Sequence, residues 1–329
     1  MLGFSLYLNQ DENYIEEKIN EFKNFDILFT SMHYPVDDRN MKKLIFLKAL
    51  ADSLNIDICL DINGEILKHY PELLRMGLIL RLDFGFDKEK IVNLSKNNRI
   101  AIIASSVSRE TLEAIKELGG NFSNISAWHN YYPLEFSGLG EDDFIEKNKV
   151  LEKFGLDLFA FFQGDKDFRG PLYKSLPSLE EDRFKDPYYS YLKLKRFYKI
   201  NNLVLSEGLS MKNKGYIEAF EKKGIINLDL YLKKGYEINE FKVRSDISKY
   251  IIRNERTYKF INEVSNNYIR KGDFLILNKN SGRYSGELEI ARLDLGLSNS
   301  RNVIGRVCKE HLAILDLIKG DDRIAINRK

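Results

Sequence analysis

The stretch IDICLDINGEILKHYPELLRMGLILRLDFGF, residues 56–86, contains one strand–helix–strand unit. Residues 56–63 and 78–86 are short, mostly apolar runs, which is the pattern of buried strands. Residues 65–76 between them are predicted to form a helical segment that is interrupted at Pro71. Strands that alternate with helices in this way indicate the α/β fold class.

The same alternation fills the first 223 residues and gives eight strand–helix units. The other predicted strands are residues 2–8, 26–32, 99–107, 125–131, 156–163 and 202–207, and a helix-like segment follows each of them. Ser108 is placed to cap the fifth helix. A doubly wound open sheet also alternates, but the count of eight and the absence of a Gly-x-Gly-x-x-Gly turn favour a (β/α)8 TIM barrel.

The pattern changes after Gly224 to short alternating runs with turn residues between them. One helix-like segment, residues 254–270, interrupts these runs. Short alternating segments predict a small β-rich domain. We therefore place a barrel domain at residues 1–230 and a β-domain at residues 231–329.

Charge and hydropathy argue against several kinds of partner. The 51 basic and 49 acidic residues leave a formal net charge of +2, which gives no electrostatic reason to expect nucleic acid or an anionic membrane. No window reaches the roughly 18 apolar residues that a membrane span needs. The N-terminus lacks the features of a signal peptide. We expect a cytoplasmic protein, and the sequence leaves a homodimer open.

The sequence has no recognisable metal-binding or cofactor-binding motif. Its four histidines show neither His-x-His nor His-Glu-x-x-His spacing, and no P-loop is present. Cys59 and Cys308 are too far apart for a zinc knuckle, and Cys59 is predicted to be a small buried hydrophobe. No lysine lies at a clear strand end to form the Schiff base of an aldolase. We expect no metal and no cofactor.

The active site of a TIM barrel lies at the C-terminal ends of its strands. Acids and amides there bind sugar hydroxyls, and aromatic rings stack on the sugar face. This combination predicts a carbohydrate-binding mouth. The candidates at the strand ends are Asn9, His33, Asp61, Arg81, Asp83, His129, Asn130, Tyr131, Gln163 and Glu207.

Asp61 and Asp83 lie on consecutive strands, whose backbones are about 4.8 Å apart. If both side chains point inward, their carboxyls lie roughly 5–6 Å apart, within the range of a retaining glycosidase. Their proximity would also separate their pKa values into an acid and a nucleophile. Equally, Asp83 could simply pair with Arg81 or a backbone group. Further candidates for acid or base are Glu135, Glu180 and Glu207.

Arginines in two loops are candidates for binding an anionic substrate. Arg169 and Arg183 lie in the long loop after the seventh strand, where this fold often binds phosphate, and each could instead form a surface ion pair. In the C-terminal stretch NSGRYSGELEI, Arg283 and Tyr284 follow a Gly-containing turn. This segment could be a plain hairpin turn, or it could present Arg283 to a substrate anion at the barrel mouth.

Several stretches resemble one known family. They are GFSLYL at 3–8, LRLDFGF at 80–86, WHNYYPLEFSGL at 128–139, GDKDFRGPLYKSLPSLEEDR at 164–183 and GDFLILNKNSGRYSGELEI at 272–290. Together they resemble the bacterial 6-phospho-N-acetylmuramidase family, in which a barrel is fused to a cyclophilin-like β-domain. The chain departs from the expected family pattern at Leu134, Ser137 and Asp182, where we expect a basic residue, threonine and histidine.

The resemblance implies intracellular glycoside hydrolysis during peptidoglycan recycling. The substrate would be a phosphorylated amino-sugar disaccharide, N-acetylmuramic acid 6-phosphate linked to N-acetylglucosamine, and no cofactor would be needed. Two other classes stay open on the residues alone. One is a non-catalytic carbohydrate-binding barrel, and the other is a sugar-phosphate isomerase or aldolase.

Overall fold

A computed structural model of the chain describes residues 1–33, 38–255 and 260–329. The chain divides into two compact units. The first contains Met1–Ser190 and Leu194–Ser210, and the second contains Tyr191–Lys193 and Met211–Lys329. The domain boundary between residues 230 and 231 stays a prediction.

Eight parallel strands of the first unit close into a barrel in chain order, with the eighth paired to the first. They are β1 (Leu2–Ser5), β2 (Ile27–Ser31), β3 (Asp57–Ile62), β4 (Ile79–Leu82), β5 (Ile100–Ile103), β6 (Ile125–Trp128), β7 (Asp157–Phe162) and β8 (Asn202–Leu205). The α-helices of the chain are α1 (Glu12–Glu21), α2 (Asp38–Ser53), α3 (Gly64–His69), α4 (Lys88–Asn97), α5 (Arg109–Glu117), α6 (Glu141–Lys153), α7 (Pro187–Leu192) and α8 (Met211–Lys223). The prediction of a (β/α)8 barrel is confirmed.

Polar side chains begin several helices by accepting from free backbone N–H groups. Asp11 accepts from the backbone nitrogen of Tyr14 at 2.9 Å at the start of α1. Ser108 accepts from the backbone nitrogen of Thr111 at 3.1 Å at the start of α5, as predicted. Such caps satisfy donors that have no partner within the helix.

The interior of the barrel is filled by apolar side chains. Trp128 stacks on Phe159 with ring centroids 4.1 Å apart, and Phe161 packs edge-on against Phe29 at 5.0 Å. Cys59 is buried in the same cluster, which confirms its prediction as a small hydrophobe. The barrel is therefore a packed core, and chemistry is confined to its ends.

The second unit is built mostly of antiparallel strands. Its main sheet has seven strands in the order β10-β17-β9-β16-β13-β14-β11, and β12 and β15 form a separate pair. The strands are β9 (Ile225–Leu232), β10 (Glu240–Lys242), β11 (Ile251–Arg253), β12 (Asn267–Ile269), β13 (Asp273–Leu277), β14 (Leu288–Ala291), β15 (Gly296–Ser298), β16 (Arg301–Val307) and β17 (Arg323–Arg328). The predicted β-rich region is confirmed, whereas its likeness to cyclophilin stays a prediction.

The prediction of a helix at residues 254–270 is wrong for the part of this segment that the structure describes. Residues 260–266 have no regular secondary structure, and β12 pairs with β15. Residues 256–259 lie outside the described residues. Among the described parts of the chain, no helix combines the length and apolar character required to cross a bilayer.

We expect Phe161→Ala to destabilise the protein strongly. Phe161 is 1% exposed within the barrel core, so its removal leaves a cavity. The expected loss is about 3–5 kcal/mol of the free energy of unfolding. Urea unfolding followed by fluorescence of Trp128, the single tryptophan of the sequence, measures this loss.

The matched control is Phe136→Ala, because Phe136 is 92% exposed. Its free energy of unfolding should stay within about 0.5 kcal/mol of the wild-type value. Equal stability of the two variants would contradict the packing assigned to Phe161.

Candidate active site

The barrel brings the predicted carboxylate pair together around a histidine. Asp61 lies in β3, Asp83 follows β4, and His33 follows β2. The Nε2 atom of His33 lies 3.1 Å from Asp61 Oδ2 and 3.5 Å from Asp83 Oδ2. One oxygen of each carboxylate and a ring nitrogen of His33 all lie within 4.8 Å of one another. The carboxylates therefore lie close enough to act on one bond.

Arg81 pairs with Asp61 and not with Asp83. The two residues are register partners on β4 and β3, and Arg81 Nη1 donates to Asp61 Oδ1 at 2.5 Å. Arg81 Nη2 also donates to Asn130 Oδ1. Burial acts to raise the pKa of Asp61, but Arg81 and His33 outweigh it, so this pKa lies below its ordinary value. Asp61 is therefore an ionised group at neutral pH.

His33 holds its proton more tightly than an ordinary histidine. Its hydrogen bond to Asp61 raises the pKa of His33 above the ordinary value, although burial acts against this. Asp83 lies beside it with 40% of its side chain exposed. A fixed anion thus lies next to an imidazole that can exchange a proton with solvent or substrate.

His33, Asp61 and Asp83 are also a set of side chains that could hold a metal ion. Sequence spacing could not reveal this set, since three different strands supply it. The guanidinium of Arg81 already lies on Asp61 and would repel a second positive charge there. The geometry therefore favours proton transfer over cation binding at this cluster.

A cavity of about 820 Å³ lies at the carboxyl ends of β1, β7 and β8. Its lining includes the predicted residues Asn9, Tyr131, Arg169 and Glu207, together with Tyr7. A cavity of this size is typical of small-molecule sites.

Arg169 and Glu207 are held together within this cavity. Arg169 lies over the ring of Tyr7 at 3.2 Å from the centroid, and its Nη1 donates to the Tyr131 hydroxyl at 2.7 Å. The backbone nitrogen of Arg169 donates to Glu207 Oε1 at 3.1 Å. Burial raises the pKa of Glu207, although backbone N–H groups act against it. The cavity thus combines a guanidinium with a carboxyl that holds its proton more tightly than usual.

Comparison with known families accounts for nearly the whole chain. Residues 2–222 match the model of 6-phospho-N-acetylmuramidase, N-terminal, and residues 227–327 match that of 6-phospho-N-acetylmuramidase, C-terminal. The chain belongs to the 6-phospho-N-acetylmuramidase family.

Two solved structures are similar to this family member over their full lengths. One is a conserved protein of unknown function from a locus in Enterococcus faecalis, with 27% identity, a TM-score of 0.89, and coverage of 100% of this chain and 96% of that one. The other is an uncharacterized B. cereus protein, with 22% identity, a TM-score of 0.79 and coverage of 99% and 98%. The second likeness shows the fold alone. No curated protein matches the chain.

Two predicted substrate-binding residues of this 6-phospho-N-acetylmuramidase family member lie apart from the others. The Nε2 atom of His129 lies 2.7 Å from Asn148 Oδ1 of α6, and burial lowers the pKa of His129 to about 4. Gln163 is fully buried and donates to the backbone oxygen of Lys185 at 3.0 Å and to Ser190 Oγ at 2.8 Å. Both side chains are used in packing the layer outside the strands.

Arg183 and Glu180 hold the loops after β6 and β7 together. Arg183 Nε donates to Glu180 Oε1 at 2.6 Å, and Arg183 Nη2 donates to Glu180 Oε2 at 2.8 Å. Glu180 also accepts from the backbone nitrogens of Phe136 at 2.9 Å and Gly138 at 2.8 Å. The remaining hydrogen bonds of Arg183 go to the backbone oxygens of Tyr132, Leu134, Lys174 and Ser175. Arg183 thus forms an ion pair, but a buried one and not the surface pair of the alternative, and the two residues make a loop clamp. The substrate-binding role of Arg183 stays a prediction.

The other predicted residues are more exposed. Glu135 lies 3.4 Å from Lys174 Nζ, with 35% of its side chain exposed. In the second unit, Arg283 and Tyr284 end the 3-10 helix Lys279–Tyr284, and Arg283 Nη2 donates to the Tyr284 hydroxyl at 2.6 Å. The substrate-binding roles of Arg283 and Tyr284 stay predictions.

Tyr7 is one of the cavity residues that sequence reasoning missed. It lies two residues beyond the end of β1, inside the stretch GFSLYL that carries part of the family resemblance. An aromatic residue at the end of a barrel strand was the available signal, but at the sequence level it is indistinguishable from core packing.

We expect Glu180→Gln to lower the melting temperature at pH 7. The difference in melting temperature from the wild type should be smaller at acidic pH. Arg183 holds the pKa of Glu180 at about 2, well below its ordinary value. A carboxyl whose pKa is lower in the folded protein stabilises it above the unfolded pKa, and this contribution disappears as the pH falls toward the folded pKa. The difference between the variant and the wild type should therefore shrink from about pH 4.5 to about pH 2.

Thermal unfolding monitored by circular dichroism across this pH range measures the effect. Glu181→Gln is the matched control, because Glu181 is the exposed neighbour of Glu180. A difference between Glu180→Gln and the wild type that persists unchanged into acid would argue against the clamp.

Proposed function

We propose that the protein is a glycosidase that cleaves 6-phospho-N-acetylmuramyl glycosides in the cytoplasm during peptidoglycan recycling. Membership of the 6-phospho-N-acetylmuramidase family supports this proposal. The observation that carries it is the pair formed by Asp61 and Asp83, whose nearest oxygens lie within 4.8 Å around His33. Retaining glycosidases hold their two carboxyl groups about 5–5.5 Å apart, whereas inverting enzymes separate them by about 6.5–9.5 Å.

The two carboxylates have different environments and therefore different roles. Asp61 is buried, ionised and fixed by Arg81, which suits the nucleophile or the anion that stabilises an oxocarbenium-like transition state. Asp83 is more exposed and lies beside His33, which suits the acid that protonates the leaving oxygen. Asp83 then takes a proton from the water that hydrolyses the glycosyl-enzyme and so regains the proton it gave to the leaving oxygen. His33 contacts both carboxylates and holds them in place.

The aldolase alternative receives less support from the cavity. Lys18 lines the cavity, and its Nζ lies 2.8 Å from Glu21 Oε2 and 3.2 Å from Asp167 Oδ2. Burial lowers the pKa of Lys18, but these hydrogen bonds outweigh it, so the net pKa is raised. A Schiff-base lysine needs the opposite shift, because only the neutral amine attacks a carbonyl. A purely carbohydrate-binding barrel would need no carboxylate pair at all.

We expect Asp61→Asn and Asp83→Asn each to reduce kcat by at least about a hundredfold, because general acid–base catalysis contributes about 10²–10⁴-fold. The assay is release of N-acetylglucosamine from a 6-phospho-N-acetylmuramyl disaccharide, followed by mass spectrometry. Asp87→Asn is the matched control, since Asp87 caps α4 and asparagine caps helices equally well.

Circular dichroism spectra that match the wild type would show that the inactive variants are folded. Full activity in both Asp61→Asn and Asp83→Asn would refute the catalytic assignment. Activity on unphosphorylated disaccharides alone would refute the substrate class.

A further inference from the structure

Arg169 is a cation without an acidic partner. Among the described residues, no carboxylate lies within ion-pair distance of its guanidinium, which contacts the Tyr7 ring and both the ring and the hydroxyl of Tyr131. By contrast, Arg81 pairs with Asp61 and Arg183 pairs with Glu180. A partly buried charge that lacks a counter-ion is unfavourable unless a ligand supplies one.

Neighbouring groups do not compensate this charge. Glu207 is 7% exposed, and its Oε1 accepts from the backbone nitrogen of Arg169, not from the guanidinium. Burial raises the pKa of Glu207, although backbone N–H groups act against it. Burial also raises the pKa of Tyr7 well above its ordinary value, so that hydroxyl keeps its proton. The positive charge of Arg169 therefore faces the cavity.

Glu207 provides an independent sign of a missing ligand. Its Oε2 atom is buried and has no hydrogen-bond partner among the described residues. Glu207 and Arg169 both line the cavity of about 820 Å³. Glu207 Oε2 can accept from a sugar hydroxyl, and a guanidinium donates to an oxyanion through its planar fork. One anionic sugar in this cavity would satisfy both groups.

We propose that the Arg169 guanidinium forms an oxyanion subsite for the sugar substrate, with Glu207 as an acceptor for a neighbouring sugar hydroxyl and Tyr7 as a positioning residue beneath the guanidinium. The inference rests on the proposed function, whose substrate carries two oxyanions, a phosphate and a lactyl carboxylate. The Tyr7 ring fixes the plane of the Arg169 guanidinium, and Tyr131 fixes one of its nitrogens. The remaining donors are left for the ligand.

Isothermal titration calorimetry on the full chain tests the subsite with four sugars. N-Acetylmuramic acid 6-phosphate carries both oxyanions, N-acetylglucosamine 6-phosphate carries only the phosphate, N-acetylmuramic acid carries only the carboxylate, and N-acetylglucosamine carries neither. We expect Arg169→Met to weaken binding of the first by at least about tenfold and to leave the last unchanged. A loss of affinity for N-acetylglucosamine 6-phosphate identifies the phosphate as the bound group. A loss of affinity for N-acetylmuramic acid identifies the carboxylate.

Arg109→Met is the matched control, because Arg109 lies on α5 with 64% of its side chain exposed. Tyr7→Leu should weaken binding of the same sugars as Arg169→Met does. Tyr7→Phe keeps the ring and should bind these sugars with wild-type affinity. The proposal is overturned if the wild type binds none of the anionic sugars. It is also overturned if Arg169→Met binds all four sugars normally, or loses all four equally.

These measurements do not require turnover, so the two proposals can fail separately. An absence of hydrolysis by the wild type, with lost binding of the anionic sugars in Arg169→Met, would remove the glycosidase assignment and leave the oxyanion subsite. Inactive aspartate variants, with unchanged sugar binding in Arg169→Met, would remove the oxyanion subsite and leave the glycosidase assignment.

Discussion

Arg81 and Asp61 lie side by side on adjacent strands of the barrel, 4% and 9% exposed. Two charges at this depth are tolerated only because each satisfies the other and both have further hydrogen-bond partners. His33 contacts the second oxygen of Asp61, and Arg81 Nη2 donates a hydrogen bond to Asn130 Oδ1. One ion pair therefore connects the ends of four strands. Among the residues that the structure describes, Arg169 has no carboxylate partner of this kind, so its charge is not compensated within the barrel mouth.

The barrel could be predicted because its strands are buried on both faces and appear in the sequence as nearly continuous apolar runs. Where each strand ends could not be predicted in the same way. Residues 2–8 were predicted as a strand, but β1 ends at Ser5, while Leu6 and Leu8 stay buried beyond it. Burial alone does not indicate where the strand pairing stops. The segment 254–270 was misassigned because Ile269 pairs with Gly296, a contact that no local pattern reveals.

The site was predictable to the extent that strand order fixes neighbours. Asp61 and Asp83 were expected to meet because their strands are consecutive, and their oxygens do lie close together. His129 followed a correctly placed strand, yet its side chain contacts α6. Trp128 points into the barrel, and successive side chains alternate between the two faces. The sequence shows that Trp128 and His129 point to opposite faces of the strand. Which of the two points into the barrel is decided by how the barrel closes.

The clamp of Glu180 and Arg183 has a consequence for how this sequence can diverge. Glu180 and Arg183 each form hydrogen bonds with backbone groups in a loop that is far away along the chain. Replacing one of them leaves the charge of the other without its ion-pair partner. A single replacement is therefore expected to make the protein less stable than the intact pair. Descendants of this protein would be expected to exchange both positions in one step or retain both, and the two columns would vary together in any alignment of them.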